Sequence, residues 1–265
     1  MFKFIAKPSA SAPPVLRRVL IVDPQPISAQ ALAAMLALAG RPEIWTAPTQ
    51  GKALALAAKV DPEVIFCELA AGKLDGGAFT RALRRSDLAC RKAPVVLVGA
   101  QADAAATLAA RDAGAHELLR RPFTHKDLNR RLEAVLRNPR GWVEAVDYVG
   151  PDRRRFNSAE FEGPLKRQAD LPPPQGVRVG EALKIVRAAL AAIDRDPAQA
   201  LRALRAQTAE LEAAAAEAAD QRLATAAVPL RRYLSEIESA QADAAELRAR
   251  AEALLAYGGR ERRAA

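Results

Sequence analysis

Two hydrophobic rhythms divide the chain of 265 residues. Up to about residue 138, short apolar runs alternate with helical spacing; from Val177 onward only helical spacing is present. The runs are Val19-Leu20-Ile21-Val22-Asp23, Glu43-Ile44-Trp45-Thr46, Val64-Ile65-Phe66, Pro94-Val95-Val96-Leu97-Val98-Gly99-Ala100 and Glu117-Leu118-Leu119. Each is short and rich in β-branched or aromatic residues, which predicts strands. Between them, residues 26–39 carry Ile27, Leu32, Met35 and Leu38 at helical spacing, closed by Gly40. Further helices are predicted over 50–60, 79–88, 102–113 and 125–136, the last with Leu128, Leu132 and Leu136 one turn apart. Five strand–helix units in this length imply an α/β fold, a five-stranded parallel sheet covered on both faces.

The stretch 61–77, DPEVIFCELAAGKLDGG, is the chemical centre of this half. Its apolar run ends in Cys67-Glu68, which puts an acid where a buried strand emerges at the carboxyl edge of its sheet. A Gly-rich loop follows, and a helix resumes at Ala78-Phe79-Thr80. Open α/β sheets place their chemistry at that edge.

The second half reads differently. Val179, Leu183, Val186, Leu190 and Ile193 form one apolar stripe on a first helix. Asp196-Pro197 is a stop-and-start signal, and a second helix carries Leu201, Leu204, Thr208, Leu211, Ala215 and Ala218. Pro229 is expected to restart a third, with Leu230, Tyr233, Ile237, Ala240, Ala244, Leu247, Ala251 and Leu254 in unbroken heptad register until Gly258-Gly259. The second and third helices are expected to run about 40 Å each. The expectation is an all-α helical hairpin or three-helix bundle whose Ala-rich seams pack closely or accept a partner helix. The bundle has no His, which excludes histidine phosphotransfer. It shows no helix–turn–recognition-helix pattern and its charges balance, which argues against DNA binding.

These breaks give five segments: a flexible lead-in over 1–16, an α/β domain over 17–138, a linker over 139–176, a helical domain over 177–257 and a basic tail over 258–265. The linker contains Trp142, Val143, Tyr148 and Val149, a set suited to packing as an extended tail on the α/β domain. It also contains the dense basic triplet Arg153, Arg154 and Arg155 and the stiff Pro172-Pro173-Pro174 spacer. Arg forks match phosphate oxygens, so the triplet is a candidate anion site beside the plainer reading of a solvated linker.

Composition adds limits. The net charge of +9 is concentrated in residues 1–138, with 20 Lys/Arg against 12 Asp/Glu, which suits acidic partners, beside the plainer reading of solvated surface charge. No apolar run approaches the roughly 18 residues of a membrane span. Two cysteines fit a reducing, cytoplasmic setting, with Cys67 read as a buried hydrophobe and Cys90 in a polar connection. Two Cys and two His cannot assemble a soft-ligand metal cluster.

Strand-Asp23, strand-Glu68 with Asp75-Gly76 following, strand-Gly99-Ala100, Gly114-Ala115 and Arg121-Pro122-Phe123 stand in an order that resembles the response-regulator receiver domain, CheY-like, over about residues 17–138. The resemblance implies a flavodoxin-like, doubly wound sheet of order 2-1-3-4-5 with its site at the switch point. It also implies a phospho-accepting Asp at the place of Glu68, a second acid beside Asp23 helping to hold Mg²⁺, and a hydroxyl residue at the place of Gly99. An aromatic is implied at Leu118 and a Lys at Arg121.

The chain departs at each of these places. Asp23 is followed by Pro24, which leaves at most a weak Mg²⁺ site built on Asp23 and Glu68. Glu68 moves the acceptor oxygen by about 1.5 Å, and misplacement on that scale costs a phosphoryl transfer about 100-fold. Gly99 has no side chain, Leu118 is aliphatic, and Arg121 keeps the charge with a different geometry.

The expected protein is therefore a cytoplasmic response-regulator-like member of bacterial two-component (phosphorelay) signalling that acts by binding and not by catalysis. Its degenerate receiver is expected to be held in one state by a bidentate Glu68–Arg121 pair, beside the plainer reading that the two form a relic ion pair with no signalling consequence. It serves as a platform for signalling proteins, through the receiver face and the C-terminal helices, with self-association through those helices a further expectation. One alternative is a conventional phosphoacceptor receiver. Another is an anion- or nucleotide-binding regulator using Arg153, Arg154 and Arg155, which resemble in placement the Arg-rich segment through which some receivers bind cyclic dinucleotides.

Overall fold

The computed structural model describes residues 16–38, 41–100, 103–137, 140–153, 156, 175–237 and 242–264. The expected lead-in up to residue 15, Arg154, Arg155 and the triple-proline spacer lie outside the described residues. The chain divides into two units: Met1–Trp142 with Gly150–Pro164, and Val143–Val149 with Leu165–Ala265.

The first unit is built on strands β1 Arg18–Val22, β2 Glu43–Ala47, β3 Val64–Glu68, β6 Val95–Gly99 and β7 Glu117–Arg120, in the order β2-β1-β3-β6-β7. All neighbours are parallel. Two very short antiparallel strands, β4 Ala70–Ala71 and β5 Leu74–Asp75, occupy the loop after β3, so this is the expected 2-1-3-4-5 sheet. The unbroken apolar runs follow from helices on both faces. Leu20, Val22, Ile65, Cys67, Val95, Leu97 and Leu118 point to one side. There they meet Ala53 and Ala57 of α2 Gln50–Val60, Phe79 and Leu83 of α3 Gly76–Arg85, and Ala110 of α4 Ala104–Asp112. The alternate residues Val19, Ile21, Val64, Phe66, Val96, Val98 and Leu119 face α1 Pro26–Ala37 and α5 His125–Arg137 through Leu32, Leu36, Leu128 and Leu132. A one-residue slip of any strand would exchange these two cores.

Local chemistry fixes the helix starts. Thr49, Asp75 and Asp103 accept from the backbone N–H groups of Lys52, Ala78 and Ala106 at 3.4, 2.9 and 2.7 Å. Such caps are worth about 1 kcal/mol each. The Asp75 cap starts α3 at Gly76, earlier than the apolar spacing suggested. The helix ends at Arg85, before the expected end at residue 88, and a 3₁₀ turn follows at Ala89–Lys92. That turn carries Cys90 inward, 5% exposed against Ala57, so the residue expected in a polar connection is part of the core.

The amino edge of the sheet is closed by Arg84, which is fully buried. Its guanidinium donates to the carbonyls of Gly114, Arg91 and Ala93 and to His116 Nδ1 at 3.0, 2.5, 2.9 and 3.2 Å. Val95 N–H donates to the same nitrogen at 3.3 Å, so Nδ1 carries no proton. Burial first, and the Arg84 and Arg140 charges after it, hold the imidazole well below its ordinary pKa. Trp142 lies against the cations of Arg84, Arg91 and Lys92 at 5.3–5.8 Å. Of the predicted extended tail, Trp142 packs in this unit, whereas Val143, Tyr148 and Val149 belong to the second.

Within the second unit, four helices are present among the described residues: α6 Gln175–Ala192, α7 Pro197–Glu217, α8 Gln221–Glu236 and α9 Ala244–Ala264. Each packs on two others, α6 on α7 and α9, and α8 on α7 and α9. With short connections this is an antiparallel four-helix arrangement. The predicted third helix is thus two. Pro229 lies inside α8 and does not restart it; Asp220 starts that helix by accepting from the N–H groups of Arg222 and Leu223, both at 3.0 Å. A helix-interior Pro costs about 3 kcal/mol. Burial of Leu223, Ala227, Leu230 and Leu234 on both sides of Pro229 offsets it. The heptad register breaks at Ile237, the extended C-cap of α8, where Arg205 caps the end through the Leu234 and Ile237 carbonyls at 3.1 and 2.6 Å. Helix α9 runs through Gly258-Gly259, since Gly lowers helix stability by only about 1 kcal/mol.

Of the two expectations for the Ala-rich seams, close packing within the unit is what is present: Leu204, Leu211, Leu230, Leu247 and Leu254 are each 0% exposed. Glu144 and the Ala145 carbonyl are held by the Gln199 amide at 3.0 and 2.9 Å. Gln207 donates to the Glu144 carbonyl at 3.1 Å.

Candidate functional site

The parallel register brings Glu68 and Asp23 to the same edge. Val22 pairs with Cys67 and Val98 with Glu68, so the residues that close β1 and β3 emerge side by side. After β7, Arg121 N–H bonds to the Gly99 carbonyl at 2.8 Å. Its side chain then reaches back across the sheet edge. Nη2 donates to Glu68 Oε2 at 2.9 Å, to Ser28 Oγ at 2.7 Å and toward Asp23 Oδ2 at 3.4 Å. Nε donates to the same Glu68 oxygen at 3.3 Å. The expected pair is formed, but it converges on one oxygen and is not a two-oxygen fork.

Asp23 is nearly buried, and its other oxygen accepts from Gln25 N–H at 2.8 Å. Burial raises the Glu68 pKa above the ordinary carboxylate value, with Asp23 acting in the same direction and Arg121 opposing both. Neighbouring Cys67 is buried, and desolvation, then the Glu68 charge, push its thiol far up, which rules out thiolate chemistry there.

The loop after Glu68 is set by two glycine contacts. Gly76 N–H bonds to the Leu69 carbonyl at 2.9 Å, and a Cβ on Gly76 would collide with the Glu68 carbonyl. At Gly99 a Cβ would stand 3.0 Å from Leu69 Cβ and 3.3 Å from Leu69 Cδ2. The space beside Gly99 is therefore taken by Leu69, itself pinned by its N–H to the Val98 carbonyl at 2.6 Å.

Leu118 is buried, paired with Leu97, and faces the core shared with α2, α3 and α4. Glu68, Asp23 and Arg121 are brought together; Leu118 points into the sheet core instead of joining them. Ser28 and Leu69 were missed in the sequence. Ser28 carried a faint signal as a hydroxyl in the first turn of the helix that follows Asp23; Leu69 carried none. Arg153 lies apart, paired with Asp112 at 3.2 Å on the end of α4.

The residues present do not fit Mg²⁺. The guanidinium of Arg121 stands between the two carboxylates that would have to hold the ion, and Pro24 replaces the third oxygen donor. Among the described residues there is also no group of three or more His, Cys, Asp or Glu able to hold a metal.

Residues 19–133 match the family model of the response regulator receiver domain. This part of the chain is a receiver domain. The receiver is 32% identical over 123 residues to the response regulator PleD of Caulobacter vibrioides, a match covering 46% of this chain and 26% of PleD. It is 31% identical over 119 residues to the transcriptional regulatory protein KdpE of Mycobacterium tuberculosis, covering 45% of this chain and 50% of KdpE. Chemotaxis protein CheY4 of Vibrio cholerae is a similar solved structure, 25% identical with a TM-score of 0.43, covering 46% of this chain and 100% of CheY4. The chain spans about a quarter to a half of the length of the curated relatives it matches. Among the described residues, no helix is long and apolar enough to cross a membrane.

Proposed function

We propose that the receiver is a degenerate, phosphorylation-independent member of bacterial two-component signalling that works in the cytoplasm by binding other signalling proteins. The observation that carries this reading is the Arg121 guanidinium, which bridges Glu68, Asp23 and Ser28. In a working receiver, a cation at this edge has an added phosphate to respond to. Here Glu68 already supplies a carboxylate oxygen, so the Arg121 contacts are made permanently. Leu69 beside Gly99 supports the same reading, because it takes the space that a hydroxyl side chain needs to move in.

The domain then serves as a fixed platform, and Mg²⁺ has no part in its action. The helical unit is a second interaction module whose outer surfaces, not its internally filled seam, meet partners. Amide exchange tests the reading. Acetyl phosphate with Mg²⁺ should leave protection over residues 67–76 and 117–124 unchanged; new protection in both segments would contradict it.

A further inference from the structure

We propose that the outer face of α2 and α3 docks an acidic amphipathic helix of a partner protein, which rests on the phosphorylation-independent platform and gives its partner a chemistry. Both helices cover the same side of the sheet: Ala53 and Ala57 of α2 share one core with Phe79 and Leu83 of α3. At 100° per residue, Lys52, Ala55 and Lys59 fall within about 60° of one another on the outer side of α2, and Ala78, Arg81 and Arg85 do so on α3. The four cations and Ala55 are exposed, and Ala78 is partly so. The 3₁₀ turn Ala89–Lys92 ties the two helix ends together, through Cys90 Sγ to the Ala57 carbonyl at 3.5 Å and Arg84 to the Arg91 carbonyl at 2.5 Å. It adds the exposed Lys92 to the same end.

Charge selects an acidic occupant. Residues 50–60 and 76–85 contain five Lys and Arg and no Asp or Glu. Asp61 and Glu63, which follow α2, are turned to Arg18 at 3.4 and 3.9 Å. Among the described residues, Lys52, Lys59 and Arg81 have no carboxylate partner. Helix stability does not account for the set. Lys59 and Arg85 complement the negative ends of their helices, but Lys52 stands in the first turn of α2, where a cation opposes the dipole. The relief of the face then selects a helix. Alanines between the cations leave a shallow floor for an apolar helix stripe, with carboxylates on its flanks meeting Lys and Arg. Lys52 and Lys59 stand about 10 Å apart along α2, the separation of acids two turns apart on a facing helix. The one aromatic ring of the two helices, Phe79, is 0% exposed, so nucleic-acid bases have nothing to stack on. None of the large exposed hydrophobic side chains among the described residues lies on either helix, so a lipid surface finds no anchor.

Fluorescence anisotropy of a labelled peptide titrated with the full chain tests this. The probe is a helical peptide of about 20 residues built from Ala, Leu and Glu, with glutamates two turns apart. The same peptide with Gln for Glu is the neutral control. The acidic peptide should bind at low salt and weaken as salt rises, and the neutral one should bind at least about tenfold more weakly. Lys52→Glu/Arg81→Glu should weaken the acidic peptide at least about tenfold. Lys126→Glu/Arg120→Glu makes the same charge change at exposed positions on α5 and the end of β7, and should alter its affinity by less than about threefold. All four positions are exposed, and circular dichroism should show both variants folded. An acidic peptide that does not bind at low salt overturns the proposal. Equal binding of the neutral peptide, or equal losses in the two double variants, overturns it as well. A single-stranded oligothymidylate that binds more tightly than the acidic peptide, and is lost in Lys52→Glu/Arg81→Glu, makes the face a nucleic-acid site and overturns it too. Acetyl phosphate with Mg²⁺ should leave the peptide affinity unchanged. An affinity that shifts with it, yet is still lost in Lys52→Glu/Arg81→Glu, upholds the docking face and overturns only the phosphorylation-independent reading.

Discussion

Arg121 and Glu68 meet through a single oxygen: Nε at 3.3 Å and Nη2 at 2.9 Å both donate to Oε2. Nη2 is shared with Ser28 and Asp23, which turns the guanidinium away from a fork that would engage both Glu68 oxygens. The edge of the sheet thus holds one cation among two carboxylates and a hydroxyl, with Glu68 largely withdrawn from water.

Removing the cation should cost more than removing the anion. Arg121→Ala leaves Glu68 half-buried without its partner and should destabilise the receiver by about 1–3 kcal/mol at neutral pH. The loss should shrink toward pH 5, because Glu68, already raised by burial, takes up a proton. Glu68→Gln retains an acceptor oxygen and should cost less. Denaturant unfolding of both variants at pH 7.5 and 5 checks the order; a larger loss for Glu68→Gln would contradict it.

Gly99 and Leu69 should behave as a coupled pair. Gly99→Thr forces a side chain into Leu69 and should cost about 1–3 kcal/mol. In the Leu69→Ala background the same substitution should cost clearly less. A double-mutant cycle measures the coupling, and strict additivity would mean that Leu69 does not fill that space.

Pro229 inside α8 should lower the stability of the helical unit. Pro229→Ala restores a backbone donor inside α8 and should stabilise by about 1–3 kcal/mol. Thermal unfolding followed by far-ultraviolet circular dichroism reads this, and a lower midpoint would show that proline itself is needed at this position.

His116 sets an acid limit. The unfolded chain binds a proton near the ordinary value of 6.5, whereas the folded imidazole does so only well below it. The unfolded state therefore holds more protons in that window, and stability present above 6.5 is lost as pH falls through it, by up to about 1.4 kcal/mol per pH unit. Glu68 acts oppositely: its folded pKa is raised above 4.5, so its contribution is present below 4.5 and lost as pH rises through the raised value. Unfolding midpoints at pH 7.5 and 5.5 should fall for the unmodified chain and fall less for His116→Gln. Equal slopes would remove His116 from this role.

The strands were legible in the sequence because burial on both faces writes continuous apolar runs, as in Val19-Leu20-Ile21-Val22 and Val95-Val96-Leu97-Val98; their order came from the resemblance to the receiver family. The meeting of Glu68, Asp23 and Arg121 followed from strand order. What sequence periodicity did not carry was contact made by single side chains. Ser28 under Arg121 and Leu69 beside Gly99 depend on loop paths that no pattern encodes. Pro229 misled for a related reason: a local helix-breaking preference was overridden by apolar residues on both sides of it. The heptad through Ile237 and Ala244 likewise continued in the letters while Arg205 was capping the helix end.

The central claim is that Glu68 is a fixed charge and not a phosphoryl acceptor. Intact mass spectrometry of the full chain after incubation with acetyl phosphate and Mg²⁺ tests it most directly. The account predicts an unchanged mass; a chain carrying one added phosphoryl group, lost in Glu68→Gln, would contradict it.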